Sequence, residues 1–115
     1  MRFFRQTLLS VCLILPWGAF AQPIANDDAA TTVEDTNAVF NIVSNDTDAS
    51  FAIDPNTVDL DITTPLSIEN SFNTAEGQFS VDASGVVTFT PVLNFFGQST
   101  LSYTVQNTNP TPETS

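Results

Sequence analysis

Histidine is absent from this 115-residue chain, and lysine and arginine together number two. Both basic residues, Arg2 and Arg5, lie at the extreme N-terminus, and the single Cys12, Trp17 and Met1 also fall in the first 21 residues. All 13 aspartates and glutamates lie after that point, so residues 22–115 contain acids but no Lys, Arg, His or Cys. Each absence excludes a class of chemistry. Nucleic-acid binding depends on Lys and Arg displacing counterions from phosphates, and attachment to anionic membrane surfaces needs the same residues. Without His, Lys or Cys there is no imidazole or amine base, no thiol nucleophile and no Ser-His-Asp set. Zinc hydrolase sites need His or Cys ligands. Only carboxylate-pair chemistry, as in glycoside hydrolysis, survives, and a chain this short offers little room for the cleft it requires. The expectation is that the chain is not an enzyme. No disulfide can cross-link residues 22–115, and no internal ion pair can offset the repulsion among the acids.

What is present at the N-terminus has the three parts of an export signal. Arg2 and Arg5 form a positive start, Thr7 to Pro16 is a short apolar stretch, and Ala19-Phe20-Ala21 is a small-x-small cleavage site. Residues 1–21 are therefore expected to be removed, leaving Gln22 first. The uncharged run from Gln6 to Ala21 is 16 residues and holds Pro16 and Gly18, short of the roughly 20 apolar residues of a spanning helix. A lipid anchor at Cys12 would follow Val11, a poor neighbour for it, and would discard half of the apolar run. The expected location is outside the cell, secreted or on its surface.

The remaining residues carry strand signals and almost no helical periodicity. Candidate strands are 29–34, 38–43, 57–63, 66–72, 77–82, 85–90 and 99–106. In the third, Val58, Leu60 and Ile62 alternate with Asp59 and Asp61, which predicts the apolar set inward and the acids on a solvated face. Phe40 and Ile42, Phe79 and Val81, Val87 and Phe89, and Leu101, Tyr103 and Val105 alternate in the same way. Asp82-Ala83-Ser84-Gly85 reads as a tight hairpin with Gly85 at positive φ. Asn45 to Asp48 and Asp54-Pro55-Asn56 read as turns, and Pro91 to Gly97 as a crossover. Of Phe95 and Phe96, one is expected to plug the end of the fold and the other to be exposed. Seven short strands with turns every 8–12 residues predict an all-β, seven-stranded sandwich, with residues 108–115, rich in Pro, Thr and Asn, as a linker or cut end.

Several segments, in order, resemble the bacterial cadherin-like and Ig-like repeats that occur in tandem in large surface proteins. They are Ala25-Asn26-Asp27-Asp28, Thr32-Val33-Glu34-Asp35-Thr36, Val43-Ser44-Asn45-Asp46-Thr47-Asp48, Gly85 to Pro91, Asn94-Phe95-Phe96-Gly97 and Leu101-Ser102-Tyr103-Thr104-Val105. The resemblance covers nearly all of residues 22–107. It implies a seven-stranded Ig-like/cadherin-like β-sandwich, calcium at repeat junctions, and partners that are neighbouring repeats or a surface protein or glycan. The Asp-x-Asp-Gly that often follows the Asn-Asp motif in the family is here Asp48-Ala49-Ser50-Phe51, a shortened loop without the Gly.

Calcium takes six to eight oxygen ligands, and the acidic clusters supply candidates: Asp27 and Asp28, Glu34 and Asp35, and Asp46 and Asp48. Chain entry and the turn after the second strand can share one end of a sandwich, which groups Asp27 or Asp28 with Asp46 and Asp48. Glu34 and Asp35, at the turn between the first two strands, would face another neighbour. The competing reading is turn chemistry, since Asp and Asn bond their own backbone and tolerate left-handed geometry. An EF-hand starting at Asp46 fails, because Phe51 stands where Gly is required and Thr57 where the bidentate Glu is required. Tyr103 suits a core ring whose hydroxyl bonds backbone, and Asn45-Asp46-Thr47 fits a glycosylation sequon. The function expected is that of an extracellular β-sandwich repeat for adhesion or spacing, stabilised by calcium. The alternative is a carbohydrate-binding module, against which count the absence of Trp and the single Tyr after residue 21.

Overall fold

The computed structural model describes residues 21–115. The expected export segment, apart from Ala21, lies outside the described residues. Among the described residues six strands are present: β1 Ala38–Asn41, β2 Ile53–Asp59, β3 Ser71–Asn73, β4 Gly77–Val81, β5 Val86–Pro91 and β6 Thr104–Asn107. They form a four-stranded sheet in the order β1-β5-β4-β3 and a two-stranded sheet of β2 and β6, with every pairing antiparallel. The fold is an all-β sandwich of these two sheets. It has six strands where seven are expected, because residues 29–34 do not pair. Ala29 to Asn37 are all exposed, and without a buried face to reward it that segment has no reason to join a ladder.

Alternation decides the core. Ala38, Phe79, Val87 and Phe89 of the larger sheet, with Ile42 just past β1, form one buried cluster with Val58 and Val105 of the smaller sheet and Leu60 just past β2. Phe79 and Phe89 are cross-strand partners on β4 and β5 with ring centroids 4.5 Å apart, a contact typical of offset aromatic pairs. Phe95 meets Phe89 edge-on at 6.3 Å, while Phe96 is 86% exposed. The crossover therefore splits its two rings between plug and surface as expected.

The β4-β5 hairpin follows its turn residues. Asp82 Oδ1 accepts hydrogen bonds from the amides of Ser84 and Val86 at 2.8 and 3.0 Å, and Gly85 sits at φ 76°. A Cβ on Gly85 would come within 2.5 Å of Val43 Cγ2, so both conformation and space require glycine there.

The third candidate strand needs correction. β2 begins at Ile53, runs through Asp54-Pro55-Asn56, and ends at Asp59. The expected turn exists inside the strand as a bulge: between Asp54↔Gln106 and Asp59↔Thr104 the register shifts. Pro55 has no N–H to offer a ladder, and the Asp54 carboxylate accepts from the Asn56 amide at 3.1 Å. Thr57 closes the bulge, its hydroxyl donating to Asp54 O at 2.7 Å and accepting from the Gln106 amide at 2.8 Å. The chain turns after Asp59, so the alternation stops. Val58 and Leu60 are buried as expected, but Asp59 is buried with them and Ile62 is 53% exposed. Asp59 is tolerated inside because its Oδ1 accepts from the amides of Asp61 and Glu69 at 2.9 and 3.2 Å.

Residues 108–115 fold back along β6. The Asn107 amide donates to Glu113 O at 3.1 Å, the Ser115 amide donates to Val105 O at 2.9 Å, and Gln106 bridges Thr114. Asn107, 1% exposed, anchors this return: its Oδ1 accepts from the amides of Asn109 and Glu113.

Candidate functional site

The entry segment and the turn after β1 meet at one end of the sandwich. Ile24 and Thr47 exchange backbone hydrogen bonds of 2.7 and 3.1 Å. Asn26 then locks the two strips together: its amide donates to Asp46 Oδ1 at 2.8 Å and its side-chain Nδ2 to Asn45 O at 2.8 Å. Asn45 returns the contact through Nδ2 to Asp27 O at 3.0 Å. The short polar side chains of Asn26, Asn45 and Asp46 thus act as the cement between two stretches that have few strand contacts of their own.

The Tyr103 hydroxyl reaches into this junction from the approach to β6. It lies 3.0 Å from Ile42 O, 3.2 Å from Asn26 O, 3.0 and 3.1 Å from the two Asp46 oxygens, and 3.4 Å from Asp28 Oδ2. A hydroxyl carries one proton and can donate only one strong bond at a time. Five oxygens therefore crowd a single donor. Burial and the neighbouring Asp46 and Asp28 carboxylates push the Tyr103 hydroxyl far above its ordinary value, so it stays protonated. Partial burial first, and then the charge of Asp46, raise the Asp28 carboxyl above its ordinary value, against the hydrogen bond from Tyr103.

The other candidate carboxylates go elsewhere. Asp48 Oδ1 accepts from the amides of Ser50 and Phe51, both at 2.7 Å, and Oδ2 accepts from Asn107 Nδ2 at 3.0 Å. These bonds, that from Asn107 foremost, lower its pKa. They favour the folded chain above the ordinary carboxylate range, and the benefit is lost as pH falls through the lowered value. Asp35 stands at φ 55° in the turn before β1, where its Oδ1 accepts from the Asn94 amide at 2.7 Å. Glu34 is exposed in that same turn, where the Thr36 hydroxyl donates to its backbone O at 3.3 Å. The structure thus brings Asp28 and Asp46 together, with Asp27 beside them through its carbonyl. It commits Asp48 to the β6 anchor and Asp35 to the crossover. Among the described residues no three acidic side chains converge as a metal cage.

The donor chemistry of the Tyr103 junction nevertheless suits a hard cation. Two carboxylates and two backbone carbonyls are all oxygen, the ligand type calcium takes, and the residues 22–115 contain no basic side chain to neutralise them. Tyr103 itself, and the carbonyls of Asn26 and Ile42, are the members that the spacing of acids could not reveal. The signal available was the lone Tyr, placed two residues before the buried Val105.

A family model of the bacterial Ig domain matches residues 21–115. The chain belongs to the bacterial Ig domain family. No curated protein and no solved structure matches it significantly. Ig domains of this family are typically non-enzymatic parts of surface or secreted proteins, and this one contains, among its described residues, no helix long and apolar enough to cross a membrane. The Tyr103 hydroxyl does bond backbone, as its sequence setting suggests, but Ile42 lies 61 residues upstream, so the contact ties two distant segments together and is not the local bond of a tyrosine corner.

Proposed function

We propose that this Ig domain is an exported, surface-exposed β-sandwich repeat that serves adhesion or spacing, and that calcium stiffens the end at which its chain enters. The observation that carries the reading is the Tyr103 junction. Asp28, Asp46, Asn26 O and Ile42 O gather around one hydroxyl at the end where the chain enters the sandwich. Two carboxylates held this close gain from a divalent cation, and Asp27 beside them adds further oxygen. Water or an adjoining repeat would complete the six to eight ligands. A spacer needs a stiff entry rather than a cleft, and the bonds between Asn26, Asn45 and Asp46 provide it.

A thermal melt of the chain with calcium against chelator tests this. Calcium several-fold above its dissociation constant adds about 1 kcal/mol, or roughly 4–8 °C for a domain of this size. An equal midpoint in the two conditions, at matched ionic strength, would remove calcium from the reading.

A further inference from the structure

Residues 99–103, on the approach to β6, pair with no strand among the described residues, and a groove of about 860 Å³ lies beside them. Its floor is the inner face of the larger sheet, where Phe40, Phe79 and Phe89 stand, and its walls are residues 25–34 on one side and 96–103 on the other. On β6 the backbone groups alternate in direction. The Gln106 amide faces β2 through Thr57 Oγ1, whereas Val105 exchanges with Ser115, donating to its Oγ at 3.0 Å and accepting from its amide at 2.9 Å. Tyr103, Leu101 and Ser99, at alternate positions on the approach to β6, line the groove and together carry three N–H and three C=O groups. Among the described residues none of these six groups has a hydrogen-bond partner, and the opposite wall at Ala29 to Thr31 makes no backbone bond either. Ser99 Oγ is buried there without a partner.

We propose that this groove is an acceptor site for one extended β-strand of a partner protein, which adds antiparallel to residues 99–103 in the register that Gln106↔Thr114 begins. Strand addition supplies affinity through main-chain hydrogen bonds and specificity through alternate side chains. The apolar floor requires an apolar residue at every second position of the incoming strand. The walls hold Asp27, Asp28 and Glu34 with no basic residue between them, so the partner strand carries neutral or basic residues at its other positions, not acidic ones. Unpaired edges ordinarily invite indiscriminate pairing; the recess and the acidic rim restrict this one to a strand of that composition.

The proposal extends the reading of a surface module by naming the chemistry of its partner, and its test is run in chelator so that a failed calcium site does not affect it. The probe is a ten-residue peptide of alternating valine and threonine with a lysine at each end, titrated onto the full chain while amide exchange is followed. Binding is expected to slow exchange at Ser99, Leu101 and Tyr103 by about tenfold or more, with little change at Thr100 and Ser102. Replacing the peptide's alternate threonines by proline, which removes N–H donors, should abolish this, and glutamate at its ends should weaken it. Ser99→Pro lies outside the strands and should weaken binding while the β4-β5 hairpin amides keep their protection. Equal binding of the proline peptide would overturn strand addition, as would absence of protection at saturating peptide. Protection that rises with chain concentration alone would assign the edge to a second copy and overturn the partner-strand proposal.

Discussion

At Tyr103 a single hydroxyl ties the approach to β6, the turn after β1 and the entry segment together. Tyr103→Phe keeps the ring and removes the donor, so Asp46 and Asp28 face each other with nothing between them. Losing a donor to a partly buried charged acceptor costs about 1–3 kcal/mol, which chemical unfolding should register; a change within error would mean that water replaces the hydroxyl without loss. Asp28→Asn should act in the opposite direction. The Asp28 pKa is raised, by burial and then by the charge of Asp46, so between the unfolded and folded values the native state binds more protons. Stability therefore falls as pH rises through that window and stays lowered above it. The variant lacks this loss. It should match the parent below the ordinary carboxylate value, about 4, and be more stable at pH 7. Because Asp28 is largely solvated, the gain should be under about 1 kcal/mol. It should also show a smaller calcium response, and a variant less stable at pH 7 would contradict the repulsion. The sequence marked Asp28 and Asp46 as candidates because acids clustered there. It did not mark Ile42 O or Asn26 O, because a backbone carbonyl leaves no trace in residue type.

Elements were legible where one face is buried and ambiguous where it is not. β4 and β5 sit close to their expected bounds because Phe79, Val87 and Phe89 need the core and Gly85 needs the turn. Gly77, which opens β4, is as constrained: a Cβ there would lie 2.3 Å from Thr90 O. Residues 29–34 have good strand composition yet lie exposed, since pairing would require a neighbour that these residues do not meet. β2 misled because both of its local signals are true at once. Asp54-Pro55-Asn56 makes its turn and the strand continues through it, which only a third group could permit. That group is the Thr57 hydroxyl. Thr57→Val keeps the shape but leaves the Gln106 N–H and Asp54 O without their partner, an expected loss of about 1–3 kcal/mol in equilibrium unfolding. Thr57→Ser should restore most of it, and equal stability of the valine variant would show that the bulge closes by packing alone.

Over the whole molecule the dominant fact is one sign of charge. Residues 22–115 contain all 13 acids and no base, so every long-range electrostatic interaction between side chains opposes compaction. The core of Val58, Leu60, Val87, Val105 and the two packed phenylalanines has to outweigh that repulsion without a disulfide or an ion pair to help. Screening relieves it in proportion to the number of charges brought close. The Debye length shrinks from about 30 Å at 0.01 M salt to about 3 Å at 1 M. Sodium chloride across that range should raise the melting midpoint by several degrees, where proteins of balanced charge respond weakly at this scale. Asp28→Asn removes one of two facing charges and should flatten the salt response slightly, whereas Thr57→Val should leave its slope unchanged. A midpoint that does not move with sodium chloride would mean the acids are spaced widely enough in the fold to ignore one another. In that case calcium at the Tyr103 junction would have to act through coordination alone.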